Sequence, residues 1–473
     1  MKEDFTKKAP IQQNMVKKSL VYMVGNFSSR MMGTLIIPIY AIYLSVEDLG
    51  KYDFQQTVAS FLMPIIVLAI WESILRFGLG REELELKKII STALIISAVT
   101  LSITFISLVI LYSFLYGLNI TTFLYILMII FTPLVTLFQY ISRTIGKNRI
   151  FVKSGVLASA VNLSCLLLFV IVLRLELFGL LISFIFSQLI NIIYISVNIK
   201  IWELIAVRYF DRVLGIKLLT FSIPLILNLV FGWFITGFNR FYVNLVIGVT
   251  ANGIFAFGSK FSQLVNSVGS VINMAAIEDA VLSSGSEGFI GRFEKNVNNI
   301  FKILILIIIV IMPIIGSLYY FISNKSYQDS LILIPCLMLG TVMQIMSTSV
   351  GNIFSVYNKT QYIFFTSLLG AIINIICAIV LAPIMGLQGI AIAQLAGGMT
   401  LFLSRYIGGR RLEFYCINWI KLGGLVIVFV LVSVVSVCSA LWLNILLSII
   451  LCILFLFLYK EFVKKAILKI KRK

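Results

Sequence analysis

Apolar residues run along this chain in long windows broken by short polar stretches. A helix needs about 20 predominantly apolar residues to cross a hydrocarbon core. Such windows fall at 19–43, 54–77, 89–112, 120–141, 150–173, 177–198, 217–238, 241–275, 299–322, 330–354, 361–382, 387–407, 421–442 and 444–459. The pattern predicts an all-α integral membrane protein with fourteen transmembrane helices. The eighth window is overlong, so its helix is expected to tilt or to extend beyond the bilayer.

Composition agrees with that reading: of 473 residues, 60% are hydrophobic and 12% charged. The first span follows "MKEDFTKKAPIQQNMVKKSL" with no small-residue cleavage site behind it, which argues against a signal peptide. The six cysteines are scattered singly, without a CxxC, and read as packing residues. Histidine is absent, which removes the commonest metal ligand and the usual general base. No cofactor is expected.

The net charge is +19, and its placement decides its meaning. With both termini on one side, only Lys51, Arg174, Arg240 and Lys325 fall in loops on the other, and Arg30 and Lys260 fall within spans. The remaining basic residues lie on the side of the termini, which assigns that side to the cytoplasm. Basic runs such as 143–153, 408–411 and the tail face anionic headgroups. A nucleic-acid partner is excluded, because the basic residues are divided among loops by the spans and do not gather on one soluble face.

Two halves are visible. "VEDLGKYDF" (46–54) and "VTANGIFAF" (249–257) share valine, glycine, an aromatic and phenylalanine at the same spacing, 203 residues apart, and each opens an even-numbered span. Repeated halves around a midplane site are typical of transporters. The expected division is a six-helix lobe over 1–198, an amphipathic cytoplasmic connector over 199–216, a second six-helix lobe over 217–408, and two added helices with a basic tail over 409–473.

Polarity inside the spans marks candidate chemistry. Arg30 shares a face of the first span with Asn26, Gly33 and Thr34. In the eighth, Ser259, Gln263, Asn266, Ser270 and Asn273 recur at helical spacing beside Lys260; Asn228 and Thr236 add to the seventh. A guanidinium at the bilayer centre costs about 2.5–3.5 kcal/mol on insertion scales. Such a residue is by default part of a ligand path. Blander readings exist: polar stripes serve as interhelical glue, Lys260 can snorkel, Arg240 suits a loop anchor, and Glu72 with Arg76 fits a self-satisfied i, i+4 ion pair. Glu72 is the one carboxylate expected well inside a span. Two cations with so little acid ask for an anionic ligand, phosphate above all. No Gly-rich phosphate loop, Asp-x-Asp pair or sizeable outer domain supports an enzyme, which leaves a transporter.

The stretches "NFSSR...IIPIYAIYLSVEDLGKYDF", "FDRVLGIKLLTFSIPLILNLV", "NRFYVNLVIGVTANGIFAF" and "NIICAIVLAPIMGLQGIAIAQ" resemble the polysaccharide transporter family, bacterial flippases of lipid-linked oligosaccharides. The resemblance spans nearly the whole chain and implies an extruder-like fold, two six-helix bundles in a V, working by alternating access. It implies a substrate of undecaprenyl pyrophosphate bearing an O-antigen or capsule repeat unit, turned to the outer leaflet of the bacterial cytoplasmic membrane. Arg30 and Lys260 are then expected to hold the pyrophosphate. Gln263, Asn266, Asn26, Asn228 and Arg240 complete the binding set, and Glu72 with Arg76 forms an ion pair or coupling site. The two C-terminal helices would guide the lipid tail. Expected partners are the lipid-linked anionic oligosaccharide, membrane lipids, and the polymerase and glycosyltransferases of the same pathway. Where family members often carry Asp before the Arg that precedes the eighth span, this chain has Asn239. The competing readings are a drug or cation extruder of the same fold and a flippase for a teichoic acid or peptidoglycan lipid precursor.

Overall fold

The computed structural model describes residues 36–283, 288–322, 324–357, 359 and 361–458, apart from the side chains at 228, 274–283, 355, 456 and 458. The secondary structure of the described residues is all helical, with no strand among them. Among the described residues, ten helices are long and apolar enough to cross a membrane, or eleven if one bent pair counts as a single span. The difference from the fourteen expected lies in three places. The first span falls mostly outside the described residues, the eighth is a long helix of lower apolarity, and the last is short. All six cysteines are free.

The chain forms two compact units, Met1–Ala256 and Phe257–Lys473. The first contains α1 (Ile37–Tyr43), α2 (Val46–Ile66), α3 (Ile70–Gly78), α4 (Glu83–Tyr116), α5 (Ile120–Thr144), α6 (Asn148–Leu166, continued by a π turn to Val172) and α7 (Glu176–Ile199). After these come the short α8 (Ile201–Leu204), then α9 (Arg212–Thr236), α10 (Phe238–Tyr242) and the opening of α11 (Val249–Ser283). The expected second span is broken: α2 and α3 meet at 53°. At the break Leu68 and Ala69 both take left-handed backbone, φ 51° and 49°, a conformation that costs an ordinary L-residue roughly 1–2 kcal/mol. Burial offsets it, because the new direction sends Ile70, Trp71 and Ile74 into the core.

The connector after α7 is tied to α4. Ser91 on α4 donates to Leu204 O and accepts from Ala206 N–H, and Thr92 accepts from Asp211 N–H. Asp211 then caps α9 by accepting from Val213 and Leu214 N–H. From there α9 packs on α2, α3 and α4. The expected start of the eighth span at 241 is also displaced, since α10 and a π turn occupy 238–247 and Gly248, at φ +124°, restarts the chain as α11.

The second unit holds the rest of α11, α12 (Phe289–Tyr319), a 3-10 segment (Lys325–Leu333), α13 (Ile334–Val356), α14 (Gln361–Met385), α15 (Leu387–Arg410), α16 (Trp419–Cys438) and α17 (Leu441–Leu458). Its centre is α15, which packs on α13 and α14. The approach is made possible by small residues: a Cβ on Gly397 would lie 2.7 Å from Asn374 Cβ, and one on Gly398 2.8 Å from Gly340 O. With no water to be expelled between lipid-facing helices, such close backbone packing supplies the association energy.

Candidate substrate-binding site

In the first unit the repeated segments meet. Gly50 on α2 and Gly253 on α11 occupy equivalent places in the two copies of the repeat, and each backbone lies against the other's helix start. A Cβ on Gly50 would fall 2.1 Å from Val249 O, and one on Gly253 1.8 Å from Val46 O. Asn252 Nδ2 donates to Gly50 O across the same crossing at 3.0 Å. The repeat read in the sequence is therefore a physical contact between the openings of α2 and α11.

Beside this crossing Arg240 on α10 donates to Asp53 Oδ1 at 2.9 Å. Asp53 is 1% exposed and the Arg240 side chain 19%. Asp53 Oδ2 has no donor among the described residues. This corrects the expectation that Glu72 is the only carboxylate inside the spans. It also gives Arg240 an acid from α2 in place of the one that position 239 lacks. Sequence reading passed over Asp53 because its window opened at 54; the helix starts eight residues earlier and carries Asp53 into the protein. An aromatic sleeve surrounds the pair's helices: Phe54 stacks on Phe241 at 5.8 Å, Phe61 meets Trp233 at 4.7 Å, and Trp233 Nε1 donates to Thr57 O and Ser60 Oγ.

The expected ion pair between Glu72 and Arg76 does not form. Glu72 Oε1 accepts from Trp71 Nε1–H at 3.0 Å and from the Tyr140 hydroxyl at 3.1 Å, while Arg76 is exposed. Two neutral donors inside the bundle hold the carboxylate, so the i, i+4 partner on the helix surface gains little.

In the second unit α11 carries the polar stripe. Gln263 and Asn266 are exposed, Lys260 is half-buried, and Ser259 is 4% exposed. Farther along, the stripe changes character: Asn273 Nδ2 donates to Ile345 O at 3.1 Å, its Oδ1 accepts from Ser349, and Gly269 lies against Ile345. The same periodic row is thus an open polar face near Lys260 and helix–helix glue near Asn273. Arg30 and Asn26 lie outside the described residues, as does the side chain of Asn228.

One cation was missed. Arg405 on α15 is 7% exposed. Its Nε donates to Thr366 Oγ1 at 3.2 Å, one terminal nitrogen to Ser347 O at 3.2 Å and the other to Ser367 Oγ at 2.9 Å. None of these partners carries charge. Gly351 makes room for the group, since a Cβ there would sit 3.2 Å from it. A guanidinium has five N–H donors, so three neutral bonds leave a buried positive charge uncompensated. In the sequence Arg405 stands near the end of an apolar window and reads as one more anchor at the cytoplasmic boundary. The signal that could have found it is the run of Gly, Ser and Thr on the facing helices.

The two C-terminal helices are bare on their outer faces, with Ile427, Leu431, Val434, Ile453 and Phe457 exposed. Their inner corner is polar: Asn444, fully buried, donates to Ser436 O and accepts from Ser439 Oγ.

An inward-facing multidrug resistance MATE family transporter of the MOP superfamily superimposes with a TM-score of 0.63 at 14% identity, covering 84% of this chain and 95% of that one. The lipid II flippase MurJ, in an inward closed conformation, gives 0.60 at 16% identity, covering 94% and 100%. An outward-facing MATE transporter gives 0.57 at 15%, covering 89% and 99%. Among curated proteins none matches. These likenesses establish the fold. The model of the family described as polysaccharide biosynthesis protein matches residues 15–277, more than half of the chain, and the chain belongs to that family.

Proposed function

We propose that this multi-pass membrane protein is a flippase that carries an undecaprenyl-pyrophosphate-linked oligosaccharide from the inner to the outer leaflet of the bacterial cytoplasmic membrane by alternating access. The observation that carries the reading is the open polar face of α11, where half-buried Lys260 stands with exposed Gln263 and Asn266 in a chain of this family. Lys260 and Arg30 hold the pyrophosphate; Gln263, Asn266, Asn26 and Asn228 contact phosphate or sugar hydroxyls. Arg240 positions the helix openings through Asp53. The apolar outer faces of α16 and α17 guide the lipid tail. Both termini are cytoplasmic, and lobes over 1–198 and 217–408 move against each other.

Outward movement of negative charge, away from a negative interior, is favoured by roughly 2.3 kcal/mol per charge per 100 mV, so the membrane potential drives the step. The test is complementation of a strain lacking its own flippase. Arg30→Ala and Lys260→Ala, at normal membrane levels, are expected to fail; full complementation by both would remove the site.

The extruder reading draws on the MATE neighbours. A pump for cations needs a carboxylate free to take and release its cargo. Here Asp53 is bound to Arg240, and Glu72 is held by Trp71 and Tyr140. Anion transport fits those arrangements better.

A further inference from the structure

The second unit contains a cavity of about 670 Å³. It lies between the first half of α12, residues 416–418 and the start of α16. Its wall is firmly built. Tyr415, fully buried, packs edge-on to Phe293 at 5.2 Å and lies under Gly409. Glu294 Oε2 accepts from Cys416 N–H at 2.8 Å, Asn298 Nδ2 donates to Cys416 O at 3.0 Å, and Asn298 Oδ1 accepts from Asn418 N–H at 2.9 Å. These bonds occupy the one carboxylate that lines the cavity and one of its amides in holding the loop.

The polar groups left to a ligand are Lys302 and Asn299 on α12, the amide nitrogen of Asn418, whose Oδ1 caps α16, and Lys421 in the first turn of α16. Both lysines are exposed. The amino end of α16, a 20-residue helix, adds the positive end of its dipole. Next to Lys421, Leu422 and, one turn farther, Leu425 line the same cavity and point the way along α16, whose outer face is apolar. Arg292, Lys295, Arg410 and Arg411 stand at this end of the unit as well. A cationic mouth above an apolar wall, at the end of membrane helices, matches a molecule with a phosphate at one end and a hydrocarbon chain at the other. A free phosphate would leave the leucine wall bare.

We propose that this cavity is a binding site for the phosphate of an anionic glycerophospholipid, held by Lys302 and Lys421 with its acyl chain along Leu422 and Leu425. The phosphate site is distinct from Lys260 and Arg30, but it shares α16 with the proposed path of the substrate's tail, and competition with a polyprenyl pyrophosphate tells the two lipids apart.

The experiment is native mass spectrometry of the full chain, delipidated and titrated with phosphatidylglycerol, with the Lys302→Gln/Lys421→Gln variant alongside. Thermal melting confirms that the variant is folded, and Lys295→Gln, which removes a charge of the same helix outside the cavity, serves as control. The wild type and Lys295→Gln are expected to retain one phosphatidylglycerol that the double variant binds at least tenfold more weakly. Phosphatidylcholine, which has a phosphate but no net charge, is expected to be lost from all three. Equal phosphatidylglycerol retention by wild type and double variant would overturn the proposal. So would displacement by millimolar inorganic phosphate, which would make the site one for the free anion, or preferential displacement by a polyprenyl pyrophosphate, which would assign it to the substrate lipid.

Discussion

Gly253→Ala isolates the crossing of the repeated segments. The added Cβ would lie 1.8 Å from Val46 O. A non-bonded carbon and oxygen need about 3 Å or more, so α2 and α11 must separate by roughly 1 Å. That shift stretches the bond from Asn252 to Gly50, now 3.0 Å, to about 4 Å, beyond hydrogen-bonding range. Overpacking of this kind costs about 1–3 kcal/mol, and the lost bond adds about 1 kcal/mol. At about 2–4 °C per kcal/mol for a unit of this size, the melting temperature of the purified full-length protein should fall by on the order of 5–15 °C. Gly50→Ala should behave alike, because its Cβ would meet Val249 O at 2.1 Å. The double variant should cost less than the sum, since one separation relieves both clashes. Gly232→Ala on α9, where a Cβ meets nothing within 4 Å, is the control and should be neutral or slightly stabilising. Gly253→Ala melting with Gly232→Ala would refute the contact, and additive losses would refute the shared gap.

Asp53→Asn leaves Arg240 partly buried without its acid and should lower stability by about 3–5 kcal/mol, whereas Asp53→Leu with Arg240→Leu should recover much of that in a melting series; an additive double variant would contradict the pair. Arg76→Ala should leave stability and complementation unchanged, while Tyr140→Phe, which removes a donor to Glu72, should destabilise by about 1 kcal/mol; the reverse order would restore the i, i+4 ion pair. Tyr357, on the turn after α13, donates to Glu413 Oε1 at 2.6 Å, and that bond to a carboxylate pushes its phenol up to about 12. A folded value above the unfolded one means that the protonated phenol's contribution is complete below pH 10 and fades as pH rises toward 12. The tyrosinate absorbance difference between wild type and Tyr357→Phe should therefore develop only near pH 12; a midpoint at 10 would contradict the bond.

How far the sequence reaches depends on the range of each interaction. Apolar windows place most helices because a span must bury its own backbone polarity, a constraint local to about 20 residues. The break at Leu68–Ala69 has no local signal: neither residue favours left-handed backbone, and the turn is held by the burial of Ile70, Trp71 and Ile74 against other helices. The pair of Asp53 and Arg240 joins residues 187 apart, and nothing near either names the other. The repeat at 46–54 and 249–257 is the exception. Its glycines look like loose turn residues in the sequence, yet their recurrence marks the place where two backbones touch. The polar stripe on the eighth span was visible as a period, but the period could not tell Gln263 and Asn266, which stand open, from Asn273, which bonds to α13. Arg405 was hidden by its position at the edge of a window, where a snorkelling anchor and a buried charge look the same.

Flipping by the purified protein in liposomes tests the central claim most directly. A short-chain polyprenyl pyrophosphate bearing a labelled sugar is placed in one leaflet, and its arrival in the other is read by accessibility to an external glycosidase or quencher. The account predicts protein-dependent transfer that quickens when the potential is negative on the loading side and fails in Arg30→Ala and Lys260→Ala. Transfer no faster than in protein-free liposomes would contradict it, as would a rate indifferent to potential but dependent on a sodium or proton gradient.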